Sequence, residues 1–300
     1  MAGLIVTDLD GTLLGRDGRV SPRNRAALRA AHDAGWHVAI ATGRTWAESH
    51  RATDCVAEDA LFIGVSGAVL HEAGSGRVLD KSVLPPATAL ELAHAIVGHG
   101  HRAHLLLDAE AAGHDYVFLG SAPLDAATTW WLSEHPVESR DWHAAPEDAH
   151  AAIDGMVLRV GTVGPTPAMA EVVRDIEARW GGALAVRAWS ALVSEGVVGT
   201  STQMLEVFAT GTDKWSMACR AADRLGVPRD RIVAFGDGLN DLEMVRNAPI
   251  GVAMANADPR IAAVASARSA AHHEDGVAVV VEALLEGRLA RGWRAAGVPA

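Results

Sequence analysis

Leu4-Ile5-Val6-Thr7-Asp8-Leu9-Asp10-Gly11-Thr12 decides the reading of the chain: a short β-branched apolar run stops abruptly at two acids and a glycine. A buried strand that opens into a loop makes this change. Downstream, Ser21-Pro22 supplies an N-cap and a proline suited to the first helical position, so a helix is expected from there to about Gly35.

The pattern recurs. Apolar runs at residues 36–41, 61–65 and 231–235 end at Thr42-Gly43-Arg44, Ser66-Gly67-Ala68 and Gly236-Asp237-Gly238-Leu239-Asn240-Asp241. Near-continuous apolar strands alternating with helices predict an α/β fold, a doubly wound parallel sheet covered on both faces. Such sheets bind ligands beyond the carboxyl ends of their strands, and here those ends carry Asp8, Asp10, Thr42, Arg44, Ser66, Asp237, Asn240 and Asp241. Carboxylates converging on one crevice repel one another unless a hard cation sits among them, and an all-oxygen set suits magnesium. Thr42, Arg44 and a lysine such as Lys214 can supply the donors that a phosphoryl group needs.

These motifs resemble the haloacid dehalogenase superfamily of phosphatases, in particular its Cof-type branch. Asp8-Leu9-Asp10-Gly11-Thr12, Thr42-Gly43-Arg44, Lys214 and Gly236-Asp237-Gly238-Leu239-Asn240-Asp241 match its four signatures in order. Gly251-Val252-Ala253-Met254-Ala255-Asn256-Ala257 and Glu274-Asp275-Gly276-Val277-Ala278 resemble its C-terminal phrases. Two positions depart from the pattern: Ser66 replaces an asparagine, and Trp215 follows the lysine where a small residue is usual.

The resemblance implies a Rossmann-like catalytic core made of residues 1–83 and 210–300, with a large α/β cap inserted at 84–209 that closes over the phosphate site. It implies that Asp8 is the nucleophile and Asp10 the general acid and base. The metal, Mg2+, would be held by Asp8, the Asp10 main-chain carbonyl and Asp237, with Asp241 ligating it or orienting its ligands, and the phosphate by Thr42, Gly43, Lys214, Asn240 and Arg44. The implied activity is hydrolysis of a small phosphomonoester, such as a sugar phosphate, through an aspartyl-phosphate. A phosphomutase would share that intermediate. A receiver-like signalling module carries its phosphoacceptor on a later strand and fits less well.

The remaining sequence sets bounds. With 300 residues, 49% hydrophobic and 21% charged, the chain can build two globular domains. Its net charge of -11 speaks against nucleic acid or an anionic membrane as a partner. Cys55 and Cys219 are too few for a disulfide framework, and a reducing cytoplasm is expected. No basic leader with an apolar stretch opens the chain, and Glu282 interrupts a short apolar run near 277–285.

Pro85-Pro86 marks a break. Beyond it helices are expected near 88–97, 124–134 and 167–180, and strands near 103–107, 116–119, 155–160, 183–189 and 204–208. His99, His101 and His104 read as surface histidines rather than a zinc site, and Trp130-Trp131 as core. Residues 288–300 read as a frayed tail.

Overall fold

The computed structural model describes residues 3–53, 59–135, 137–190 and 202–298; Cys55 lies outside them. The chain forms two compact units, Met1–Asp80 with Asp213–Ala300, and Lys81–Thr212.

The first unit is built on an eight-stranded sheet. Its order runs Ala267–Arg268, Ile250–Ala253, Ile232–Gly236, Leu4–Thr7, His37–Ala41, Leu61–Gly64, Val69–Glu72, Val78–Lys81. From Ala267–Arg268 to Leu61–Gly64 every neighbouring pair is parallel, and Val69–Glu72 then turns back antiparallel. The run that opens the chain is thus a central strand, paired with Ile232–Gly236 on one side and His37–Ala41 on the other.

It is apolar throughout because both faces are covered. Ile5 packs with Leu28 of helix Pro22–Asp33 and Val281 of helix Gly276–Leu285. Leu4 and Val6 pack with Met217 and Ala221 of helix Lys214–Leu225 and Met244 of helix Leu242–Asn247. Alternate residues of one strand therefore feed two cores. Ser21 caps the first helix as expected, its Oγ accepting from the Asn24 amide at 3.1 Å.

The C-terminal segment corrects the expectation of a frayed tail. Trp293 packs against the core and Ala295 is buried. The Arg268 amide donates to the Trp293 carbonyl and the Ala295 amide to the Arg268 carbonyl, both at 3.0 Å. One aromatic and one small residue inside an arginine-rich stretch hold it down. The arginines had concealed them.

The second unit has a six-stranded sheet in the order Leu184–Ser190, Thr202–Ala209, Val157–Pro165, Ala103–Leu107, Tyr116–Leu119, Ser139–Trp142, antiparallel except at the last pair. Helices Pro86–Gly98 and Thr166–Trp180 cover one face, where Ile96, Val172 and Ile176 meet Leu105, Val117, Val160 and Leu205. Strand Val157–Pro165 runs past the expected end at 160, because Gly161 belongs to it rather than to a turn. A Cβ there would lie 2.4 Å from the Leu205 carbonyl oxygen of the neighbouring strand.

His104 corrects the surface reading: it is buried, edge-on to Phe118 with ring centroids 5.0 Å apart. His99 faces Asp175 at 3.1 Å. Trp130 and Trp131, expected in a core, are only half-buried, and Trp131 stacks on His135 and meets Tyr116 edge-on. Among the described residues no helix is long and apolar enough to cross a membrane.

Burial pushes the His104 imidazole down to about 3, so the folded protein holds it neutral. The unfolded chain binds that proton near the ordinary value of about 6.5, so the folded state is disfavoured as pH falls from there towards 3. By pH 5 the loss should reach roughly 2 kcal/mol. Denaturant unfolding at pH 8 and pH 5 should show a larger drop for the wild type than for His104→Gln; equal drops would contradict this.

Candidate active site

The carboxyl end of Leu4–Thr7 is locked to its neighbour: the Asp8 amide donates to the Phe235 carbonyl at 3.0 Å, leaving the buried Asp8 side chain at the strand end. The chain must then turn at once. Gly11 does so at φ +75°, and a Cβ on it would lie 2.3 Å from Asp237 Oδ2, so a side chain there would be strained and would displace the Asp237 carboxylate. Thr12 Oγ1 donates to Asp237 Oδ1 at 2.8 Å. The Asp237 and Gly238 amides each donate to Asp241 Oδ2 at 3.0 Å, which folds the acidic loop back on itself.

Lys214 comes from the first turn of its helix. Asp213 caps that turn, accepting from the Ser216 amide at 2.7 Å while Ser216 Oγ answers the Asp213 amide at 3.1 Å. The Lys214 ammonium is wholly buried and donates at 2.6 Å to Asp8 Oδ1 and at 2.6 Å to Asp241 Oδ1. Oxygens of Asp8, Asp237 and Asp241 lie within 4.8 Å of one another.

One ammonium does not balance three carboxylates. Burial, and after it the charge of Asp241, raises the Asp8 carboxyl well above its ordinary value, although Lys214 pulls the other way. Burial likewise raises Asp237, to about 6. For Lys214 burial disfavours the charge, but Asp241 and Asp8 outweigh it and hold the ammonium protonated. The acids therefore want a second, stronger cation, and an oxygen-only donor set fits a hard divalent ion. Asp8, Asp237 and Asp241 could hold it.

The second and third strand ends meet the acidic loop at Gly43. A Cβ there would lie 3.5 Å from Ser66 Oγ and 3.9 Å from Asn240 Nδ2. Thr42 is buried, its Oγ1 accepting from the Arg44 amide at 3.2 Å and its carbonyl from the Ser66 amide at 2.9 Å. Thr42, Gly43, Ser66 and Asn240 thus border one place.

Arg44 and Asp10 are arranged otherwise. Arg44 Nε donates to Asp10 Oδ2 at 2.8 Å and Nη2 to Asp10 Oδ1, a two-pronged pair with both side chains about two-fifths exposed. The guanidinium expected on a phosphate is engaged by Asp10. The Asp10 carboxylate stands outside the three-acid group, which leaves its main-chain carbonyl as the group it could offer a metal.

Both departures from the family pattern have a local reason. Ser66 has φ +54°, in the left-handed region that asparagine enters readily. Next to it a Cβ on Gly67 would lie 2.1 Å from the Asp213 carbonyl, so this turn abuts the start of the lysine's helix. Trp215 packs against the Leu4 and Val6 core, and both Lys214 ion pairs form beside it. Sequence reading gave no role to Thr12 or Asn256, whose partners Asp237 and Gly11 lie far away along the chain.

The family model of haloacid dehalogenase-like hydrolases matches residues 5–281. Among similar proteins, the 5-amino-6-(5-phospho-D-ribitylamino)uracil phosphatase YitU of Bacillus subtilis is 28% identical over 92% of this chain and 94% of its own length. An HMP-PP phosphatase of Cronobacter sakazakii is 30% identical, covering 88% of each chain. The crystal structure of a haloacid dehalogenase-like hydrolase from Bacteroides thetaiotaomicron superposes with a TM-score of 0.72 at 25% identity, covering 95% of this chain and all of that one.

Lys214→Met should strand two buried carboxylates and cost about 3 kcal/mol or more in EDTA. Part of that loss should return in MgCl2, since a cation bound only by the folded state stabilises it by mass action. Urea unfolding in the two buffers checks this. A variant as stable as the wild type in EDTA would contradict it.

Proposed function

Because this chain belongs to the haloacid dehalogenase-like hydrolases and is a phosphatase of that family, we propose that it hydrolyses a small phosphomonoester by passing the phosphoryl group through Asp8, with magnesium as the metal. The observation that carries the reading is the Lys214 ammonium bridging Asp8 and Asp241, with Asp237 in the same cluster.

A buried carboxylate at the end of a rigid strand can attack phosphorus in line. Asp8 forms the new P–O bond as the bond to the leaving oxygen breaks, and Asp10 gives that oxygen its proton. Water then attacks phosphorus, the P–O bond to Asp8 breaks, and Asp10 takes the proton back. Thr42 Oγ1, the Gly43 amide, Asn240 and Lys214 are assigned to the phosphoryl oxygens, where fixed donors stabilise developing charge without reorganising. Asp8, Asp237 and Asp241, with the Asp10 carbonyl, would hold magnesium, which would neutralise charge on the transferring group. For Asp10 to reach the leaving oxygen, its pair with Arg44 must open.

The relatives are named for a phosphorylated ribityl compound and for HMP-PP, so the reading takes a small phosphorylated metabolite as substrate, a sugar phosphate or similar. Residues 1–80 and 213–300, which hold all the groups above, are assigned the chemistry; Lys81–Thr212 is assigned the choice of leaving group.

Assayed on a panel of phosphate esters, Asp8→Asn should lose about three orders of magnitude in phosphate release and keep a cooperative melt. Excess EDTA should silence the wild type. Full activity in the variant, or undiminished activity in EDTA, would sink the mechanism.

A further inference from the structure

Asn256 lies in the 251–257 stretch that matched a family phrase without acquiring a role. Its Nδ2 donates to the Gly11 carbonyl at 2.8 Å and stands 3.5 Å from Asp237 Oδ2. Its Oδ1 accepts from the His272 main-chain amide at 2.9 Å. These two partners, a carbonyl and an N–H, fix which end of the amide is nitrogen. His272 in turn places Nδ1 2.7 Å from the Leu14 carbonyl, so that nitrogen carries the proton.

Two carbonyls of the segment that follows Asp8, Gly11 and Leu14, are therefore tied by two residues bonded to each other. The same segment is tied a third time by Thr12 Oγ1 on Asp237. Gly11 has no side chain to hold its own place, and the space a Cβ would need is taken by the Asp237 carboxylate. The Gly11 carbonyl and the Asp10 carbonyl belong to adjacent peptide units joined at the Gly11 Cα, so a loosened Gly11 carbonyl loosens the turn that carries the other.

We propose that Asn256, oriented by the His272 amide, is a positioning residue for the metal ligands: it acts through the Gly11 carbonyl on the Asp10-Gly11 turn and through Asp237 on the third carboxylate. The inference rests on the magnesium reading given above. Groups that orient metal ligands from outside change metal affinity by about 10–100-fold when removed. Asn256 itself is exposed, so truncating it deletes no core packing.

The test is a MgCl2 titration of wild type and Asn256→Ala, followed without substrate by the thermal midpoint and with substrate by phosphate release. Asn256→Ala should bind magnesium about 10-fold more weakly, with its metal-free midpoint close to the wild type's and its turnover recovered at saturating MgCl2. A normal wild-type titration with unchanged magnesium affinity in the variant overturns the positioning role alone. A lowered metal-free midpoint with unchanged affinity would make Asn256 structural and overturn it too. A wild type that does not respond to MgCl2 at all overturns the magnesium reading, and this inference with it.

Discussion

The Lys214 ammonium, held at 2.6 Å by Asp8 and at 2.6 Å by Asp241 in a fully buried setting, is the contact on which the site depends. Each partner comes from a different element: Asp8 from the end of a central strand, Asp241 from the loop after Ile232–Gly236, and Lys214 from the first turn of a helix. Desolvating any one of these charges alone would be costly. Together they are tolerable only in one arrangement, and that arrangement holds the ends of three elements to one another.

The same contact leaves the site short of positive charge. Asp237 joins Asp8 and Asp241 within 4.8 Å and brings no cation of its own. Burial raises the Asp8 and Asp237 carboxyls first, and the charge of Asp241 adds to it in both. A folded protein tolerates such a cluster when it binds a cation there. The backbone is shaped to the same end. Gly11 allows the turn to lie against Asp237, and Gly236 allows the strand end to lie against Asp241, whose Cβ would be 2.4 Å from an added Cβ.

Much of this was legible in the sequence because buried parallel strands write themselves plainly. Leu4–Thr7, His37–Ala41 and Ile232–Gly236 are covered on both faces, so nearly every residue is apolar until the chain reaches the chemistry. Strands with less burial left weaker traces: Ser139–Trp142 is mostly exposed, and Val78–Lys81 is only partly buried, so neither shows an apolar run. Gly161 concealed the second half of its strand, since a glycine required by a neighbouring backbone looks the same in sequence as one that ends a strand. The candidate site residues were named from motif spacing. What spacing could not convey was pairing: that Arg44 would be taken by Asp10, or that Asn256 would reach Gly11, depends on loops meeting from distant parts of the chain.

In the proposed mechanism the phosphoryl group resides on Asp8 between its arrival and its release. The direct measurement is a single turnover of an accepted phosphate ester, quenched in acid, with the peptide spanning Asp8 and Asp10 recovered and the modified residue located by borohydride reduction and mass spectrometry. A phosphoryl group on Asp8 that appears before free phosphate and decays into it is the predicted result. Free phosphate released in the first turnover with no phosphorylated protein, or with the group on Asp10 or any other residue, would contradict the claim.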